Sequence, residues 1–202
     1  MGWRCAWVGV AHGPTPTLPL AARVWACHAT SMRKTVGQGA AEATERAARS
    51  PSELDLQRVA HVAVTSEAPS HPVECAFDSH GGPGGTQWVA SGPGPQTITL
   101  AFDSPQGVQA VAIEVEETSG TRTQELELSL SSDGGAHFDV VRRQEFNFSP
   151  NGATFERERW EVDRQNVTHV RLRIRPDKGG GAARARVTTF AIEARTAARG
   201  GA

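Results

Sequence analysis

Residues 122–162 read RTQELELSLSSDGGAHFDVVRRQEFNFSPNGATFERERWEV, and their first half has the pattern of a β-hairpin. Every second residue from Leu126 to Leu130 is a leucine with a polar residue between, which is the period of a strand with one buried face. The Ser-Asp-Gly-Gly run at 132–135 then supplies residues that suit the positive φ angles of a tight turn. We therefore predict a strand, a turn and a return strand that begins at Phe138.

The later residues 146–152 combine two aromatic rings with residues that interrupt regular structure. Phe146 and Phe148 stand beside Asn, Ser, Pro and Gly, which favour turns. Apolar rings on a loop are typical of an interaction surface. We predict a ligand-contact surface here; the alternative is that the two rings close one end of the hydrophobic core.

Residues 58–195 hold short segments of strand character, separated by clusters of Gly, Pro, Ser and Asp. No segment between them has the length of a helix that could connect parallel strands. Many short strands joined by turns predict an all-β fold, an antiparallel β-sandwich. The predicted strands are 59–64, 97–102, 108–116, 125–130, 138–142, 154–162, 167–174 and 186–194.

Residues 1–57 differ from the rest of the chain, because their tryptophans, cysteines and prolines follow no sustained period. Residues 40–48 have the composition of a short surface helix, which is marginal in isolation. We predict an irregular or partly helical, poorly ordered N-terminal tail that folding does not need, then a domain at 58–195 and a C-terminal tail at 196–202. An alternative is that the natural chain starts downstream, at Met32.

Charge and cysteine usage narrow the possible functions. The net charge of −1, with an acidic excess between residues 60 and 195, disfavours generic nucleic-acid binding, which needs a basic field. Cys5, Cys27 and Cys75 are few and widely spaced, so we predict neither a disulfide framework nor a zinc site, and expect Cys75 to be a buried thiol. Since no export signal or membrane-spanning run is evident, we expect a soluble, cytoplasmic protein whose oligomeric state is open.

Four motifs, in the same order, resemble the galactose-binding-like jelly roll of discoidin, or coagulation-factor type C, domains. The resemblance covers about residues 59–195 and implies a non-catalytic domain that binds sugars, phospholipid headgroups or proteins through loops at one end. The sequence departs from the family at Ser79, at His169 and in lacking the bridging cysteines. The motifs are Ala76-Phe77-Asp78-Ser79 with Thr86-Gln87-Trp88, the strand at 97–102, the turn at 131–135 and the strand at 168–174.

The same resemblance implies a structural calcium ion and a core position for Trp88. Its calcium ligands would be Asp78, Thr86 and Glu193. Calcium prefers several oxygen ligands, and a carboxylate, a hydroxyl and carbonyl groups of the Gly-rich loop are of that type. The alternative is that Asp78 only caps a loop turn.

Sugar recognition generally needs an aromatic platform together with planar polar groups. One segment of this chain carries both types, and two other loops carry residues that could converge with it. The candidate ligand-binding residues are Arg143, Phe146, Asn147, Phe148 and Asn151, with His80 and Lys178 on the other loops.

Arg171, Arg173 and Arg175 alternate with apolar residues, so their side chains should leave one face of a strand. We predict that they form cross-strand charge pairs on a solvated sheet face. The alternative is an anion-binding groove.

A second resemblance, at 140–150 and in the later arginine-rich strand, is to the N-terminal domain of the X-ray-repair scaffold protein of single-strand-break repair. That domain shares the jelly roll and binds a repair polymerase. Because the sequence has no nucleophile elbow, HExxH motif or P-loop, we predict no enzyme activity. The leading prediction is a carbohydrate-binding module, and the alternative is a protein-interaction domain of a repair-type scaffold.

Overall fold

Strands make up most of the structure. The computed structural model of the chain describes residues 33–35, 52–78 and 80–195. One short helix, α1 (Leu56–Val59), and a turn of 3-10 helix at Val73–Ala76 accompany the strands, so the predicted all-β class is confirmed. The strands are β1 (Arg33–Thr35), β2 (Ala60–Val64), β3 (Trp88–Pro93), β4 (Gln96–Glu116), β5 (Arg122–Ser131), β6 (Asp139–Phe148), β7 (Phe155–Arg175), β8 (Arg184–Val187) and β9 (Thr189–Ala194).

The strands form one large sheet and one small sheet. The large sheet has the order β1-β2-β4-β7-β5-β6, and β9 also pairs with β4. The small sheet consists of β3 and β8. Pairing is antiparallel throughout these elements except between β1 and β2, which are parallel.

Strands β4 and β7 are long enough to serve both layers of a sandwich. Each has 21 residues, and their pairing shifts register near the middle of both strands. On β7, Asp163 and Asn166 have φ angles of 48° and 57°. Such bulges bend a strand pair, so the two halves of each strand lie on opposite sides of the core. Residues from both halves belong to one hydrophobic cluster, which confirms the antiparallel β-sandwich.

The alternation seen in the sequence sorts side chains between the core and the surface. Leu126 and Leu128 are completely buried, whereas Glu125 and Glu127 are partly exposed. Trp88 is completely buried as well, as the family resemblance implies. The polar side of β4, β5 and β7 is therefore a continuous sheet face outside the core.

The hairpin between β5 and β6 forms where the sequence predicts it. The Asp133 carboxylate accepts hydrogen bonds from Ser131 Oγ at 2.6 Å and from the His137 backbone N–H at 3.0 Å. These bonds, that of Ser131 first, lower the pKa of Asp133. Gly134 and Gly135 have φ angles of 75° and 86°, which glycine adopts without steric cost.

Residues just before Arg58 pack on the sandwich. Leu56 is only 2% exposed and belongs to the core cluster. The backbone N–H of Leu54 donates to the carbonyl of Ile192 at 2.8 Å, and β1 pairs with β2. Leu54 and Leu56, which lie in the predicted tail, therefore pack with the domain, and the predicted boundaries stay a prediction. The other residues of the predicted tails, including 196–202, lie outside the described residues.

Cys75 differs from its predicted state. It is buried as expected, but it is disulfide-bonded. The expectation of a free thiol is therefore wrong, and a disulfide is more typical of an oxidising compartment than of the cytoplasm. The cytoplasmic location stays a prediction. Among the described residues, no helix has the length and hydropathy to cross a membrane.

Candidate functional site

Phe146 and Phe148 do not form a contact surface. They are 1% and 2% exposed, and their rings meet edge to face at 6.2 Å between centroids. Both lie on β6, which continues past the predicted strand end because β5 offers pairing partners as far as Arg122. The predicted loop surface is wrong, because both rings belong to the hydrophobic core cluster.

Three other predicted ligand residues lie near one another on the polar sheet face. The guanidinium Nη2 of Arg143 is 2.9 Å from Glu127 Oε2. Asn147 Oδ1 accepts a hydrogen bond from Thr123 Oγ1 at 2.7 Å, and the Thr123 carbonyl accepts one from the Lys178 N–H at 2.8 Å. The structure thus brings Arg143, Asn147 and Lys178 to the β5–β6 edge.

His80 and Asn151 lie on different loops from that group. The His80 backbone N–H donates to Asp78 Oδ1 at 2.8 Å. Asn151 is exposed in the turn between β6 and β7. No contact among the described residues joins either side chain to Arg143 or Lys178.

A groove of about 280 Å³ lies on the polar sheet face beside this group, and we call it the β5–β7 groove. Its position follows from strand register, because Thr97 of β4 and Glu127 of β5 are the two neighbours of Arg173 on β7. Arg175 is paired in the same way with Glu125. The groove is lined by Pro95, Gln96, Thr97, Glu125, Glu127, Arg173, Ile174 and Arg175.

The two arginines of the groove have only long contacts with its carboxylates. Arg173 Nη1 is 3.5 Å from Glu127 Oε1, and Arg175 Nη1 is 3.9 Å from Glu125 Oε2. These contacts bear out the predicted cross-strand pairing of the two arginines. Because exposed ion pairs of this kind contribute little to stability, a ligand can replace them at low cost.

A second polar cluster surrounds the buried side chains of Arg122 and Glu117, and sequence reasoning missed it. Arg122 Nε donates to Glu117 Oε2 at 2.9 Å, and Arg122 Nη1 donates to Gln124 Oε1 at 2.8 Å. Ser119 Oγ donates to Glu117 Oε1 at 2.6 Å, and Arg186 Nη1 lies 3.6 Å from the same oxygen. The sequence contained one indication of this cluster. Arg122 and Gln124 occupy the same alternate positions of β5 as the buried leucines, so their side chains lie on the buried face of the strand.

Burial and hydrogen bonds act in opposite directions on this cluster. Burial would raise the pKa of Glu117, but hydrogen bonds from Ser119 and the charges of Arg186 and Arg122 outweigh it, so the pKa is lowered. Burial also lowers the pKa of Arg122, against the raising effect of Glu117. The cluster ties together three chain segments, because Arg122 also donates to the carbonyl of Pro176.

The three predicted calcium ligands have different partners. Asp78 Oδ1 accepts a hydrogen bond from Thr86 Oγ1 at 2.6 Å. Glu193 instead accepts hydrogen bonds from Arg159 on both carboxylate oxygens, at 2.7 and 2.6 Å, and these bonds lower the pKa of Glu193. No group of three or more His, Cys, Asp or Glu suited to a metal occurs in the described ranges. Calcium bound by Asp78, Thr86 and Glu193 stays a prediction.

Chelation tests this prediction. If calcium binds at Asp78, a chelator should lower the melting temperature by about 2 to 4 °C for each kcal/mol of binding energy lost. Differential scanning calorimetry with and without chelator measures the shift, and the Asp78→Ala variant should show none. An unchanged melting temperature in protein purified with added calcium would rule the site out.

Comparison with known proteins identifies structures that share this fold. No family model and no curated protein matches this chain. A solved structure of two family 32 carbohydrate-binding modules from Clostridium perfringens ZmpB, in complex with GalNAc, superposes with a TM-score of 0.50 and 13% identity, covering 71% of this chain and 36% of that chain. The chain has the fold of a family 32 carbohydrate-binding module.

A second structure with the family 32 fold supports this assignment. It is a truncated AlyQ with family 32 and alginate lyase domains, with a TM-score of 0.50 and 22% identity over 74% of this chain and 35% of that chain. The galactose-binding-like jelly roll is thus confirmed as the fold. These neighbours single out neither a discoidin domain nor a repair scaffold.

Proposed function

We propose that this chain is a non-catalytic carbohydrate-binding module that holds a glycan in the β5–β7 groove. The groove is the observation on which the proposal rests, because it places two arginines and two carboxylates in one depression of the sheet face. The fold supports the proposal. One neighbour with this fold is in complex with GalNAc, and another is joined to alginate lyase domains.

The lining of the groove suits sugar hydroxyl groups. The carboxylate of Glu127 accepts hydrogen bonds, and the planar guanidinium of Arg173 donates several. Neighbouring hydroxyl groups of one sugar ring can therefore donate to Glu127 and accept from Arg173. The exposed Pro95 adds apolar surface for the C–H face of a sugar ring. Arg173 is loosely paired and can turn to a ligand, whereas Glu127 is held by two hydrogen bonds from Arg143 and leaves its other carboxylate oxygen to accept from a sugar.

Replacing Arg173 by glutamine tests the site. We expect binding of a responsive glycan to weaken by about 1.5 to 3 kcal/mol, the range for a hydrogen bond to a charged group. Stability should change by less than about 0.5 kcal/mol, because Arg173 is exposed and loosely paired. A glycan array identifies the responsive glycan, and titration calorimetry measures the affinity of wild type and variant.

Arg164→Gln is the matched control, since Arg164 is an exposed arginine of the same strand outside the groove. Equal affinities for wild type and Arg173→Gln would move the glycan site away from the groove. An array without any bound glycan would contradict the function itself. The alternative, a protein-interaction domain of a repair scaffold, is not favoured by the neighbours compared.

A further inference from the structure

Arg171 is the third arginine of the series on β7, and its surroundings differ from those of the other two. Its Cα partners are Thr99 on β4 and Ser129 on β5, and neither carries a charge. Arg173 and Arg175 face Glu127 and Glu125 at the corresponding places. In the part of the chain that the structure describes, no carboxylate forms an ion pair with Arg171.

Phe138 holds the Arg171 guanidinium in place. The Arg171 Cζ lies 3.7 Å from the centroid of the Phe138 ring, a close cation–π contact. The ring of Phe138 is in turn edge-on to His169, at 6.2 Å between centroids. Gly135 leaves room for this arrangement, because a Cβ there would lie 3.2 Å from the His169 ring. A planar cation fixed in this way loses little freedom when it binds a ligand.

The site around Arg171 contains buried polar atoms that lack hydrogen-bond partners within the described part of the chain. Arg171 Nε and Ser129 Oγ are buried, and neither has a hydrogen-bond partner among the described residues. Burial first, and then the charge of Arg173, lower the pKa of Arg171, against the raising effect of the Glu127 charge. An arginine remains protonated at any working pH, so the site carries a net positive charge that an anion would relieve.

An apolar rim borders this charge. Val140, opposite Ser129 in register, is 46% exposed and is the one large hydrophobic residue that the described chain exposes. Phe138 is half-buried beside it. Because alternate residues of a strand are roughly 6.5 Å apart, Arg171 lies directly next to Arg173 and to the β5–β7 groove.

We propose that Arg171, with Phe138, Val140 and Ser129, forms a subsite for the anionic substituent of a glycan whose neighbouring sugar occupies the β5–β7 groove. The substituent is a carboxylate or a sulfate ester, which share the oxygen geometry that a guanidinium binds with two hydrogen bonds. The apolar rim packs against the ring that carries the substituent. This inference rests on the proposed function and restricts it to acidic glycans.

The test compares matched acidic and neutral polymers. Polygalacturonate is paired with its methyl ester, and dextran sulfate with dextran, and affinity is measured by titration calorimetry. We expect at least one acidic polymer to bind about tenfold or more tightly than its neutral form, with the preference declining as salt is added. The arm that shows the preference identifies the substituent as carboxylate or sulfate.

Two variants test whether Arg171 is responsible for the preference for the acidic polymer. Arg171→Gln should remove it, and Arg171→Lys should restore only part of it, because lysine keeps the charge but lacks the planar fork. Arg164→Gln is the control and should keep the whole preference. A thermal melt, together with binding of the neutral polymer, shows that each variant is folded.

The outcomes separate this inference from the proposed function. Equal affinity for acidic and neutral polymers overturns the anionic subsite and leaves glycan binding intact. A preference that survives in Arg171→Gln also overturns it. If neither these polymers nor an array of glycans binds, the carbohydrate-binding function fails as well.

Discussion

Replacing Phe148 by alanine should lower the free energy of unfolding by about 3 to 5 kcal/mol, the usual cost of removing a buried phenylalanine. Phe148 is 2% exposed, and its ring contacts Phe146 edge to face. The Arg122 Cζ lies 5.6 Å from the centroid of the same ring. Alanine would leave a cavity and also remove a neighbour of a buried cation. Urea denaturation monitored by tryptophan fluorescence measures the loss.

The neighbouring residue provides the control. Asn147 is exposed, and its side chain accepts a hydrogen bond from Thr123, so Asn147→Ala should cost no more than about 1 kcal/mol. If Phe148→Ala instead cost less than 1 kcal/mol and weakened glycan binding, Phe148 would be a surface ligand residue. That result would contradict the packing described above.

The second large effect concerns the buried pair of Arg122 and Glu117. Their side chains are 2% and 4% exposed. Replacing Arg122 by methionine should destabilise the protein by about 3 to 5 kcal/mol, because it leaves a carboxylate buried without its main cation. Arg186, at 3.6 Å, compensates only in part. Denaturant unfolding measures the change.

A double variant distinguishes the charge effect from simple loss of packing. Arg122→Met combined with Glu117→Leu should be more stable than Arg122→Met alone, since an apolar pair does not leave a buried charge unpaired. If the two proteins were equally stable, the cost would come from the lost packing and the lost bonds to Gln124 and Pro176. Arg164→Gln, an exposed arginine, should change stability by less than about 0.5 kcal/mol.

The same pair gives stability a dependence on pH. The pKa of Glu117 is lowered in the folded state, so this carboxylate binds a proton more readily in the unfolded chain. Its contribution to stability is therefore complete above the ordinary glutamate pKa of about 4.3 and is lost as the pH falls through the lower folded value. Below about pH 4 the wild type should lose stability more steeply than Glu117→Gln. Parallel curves for the two proteins would show that Glu117 is not the group responsible.

Local patterns in the sequence determine the strands and their turns. The alternation of leucine with glutamate around Leu126 and the Asp133-Gly134 turn act within a few residues, so period and turn chemistry suffice to predict β5 and its hairpin. The order of the motifs from Asp78 to the strand at 168–174 also predicts the galactose-binding-like jelly roll. Each of these features depends on nearest neighbours in the chain or on motif order.

Tertiary structure alone decides which side chains meet. The Ser-Pro-Asn-Gly run after Phe148 has the local composition of a loop, yet both rings are buried because β5 extends β6 by pairing with it. Thr97 and Glu127 become the two neighbours of Arg173 only through the order β4-β7-β5. Arg186 of the small sheet reaches Glu117 only because the two sheets pack together. Burial of the whole core sets the strand order and the register. The residue pattern within a single strand therefore does not predict which strands become its neighbours.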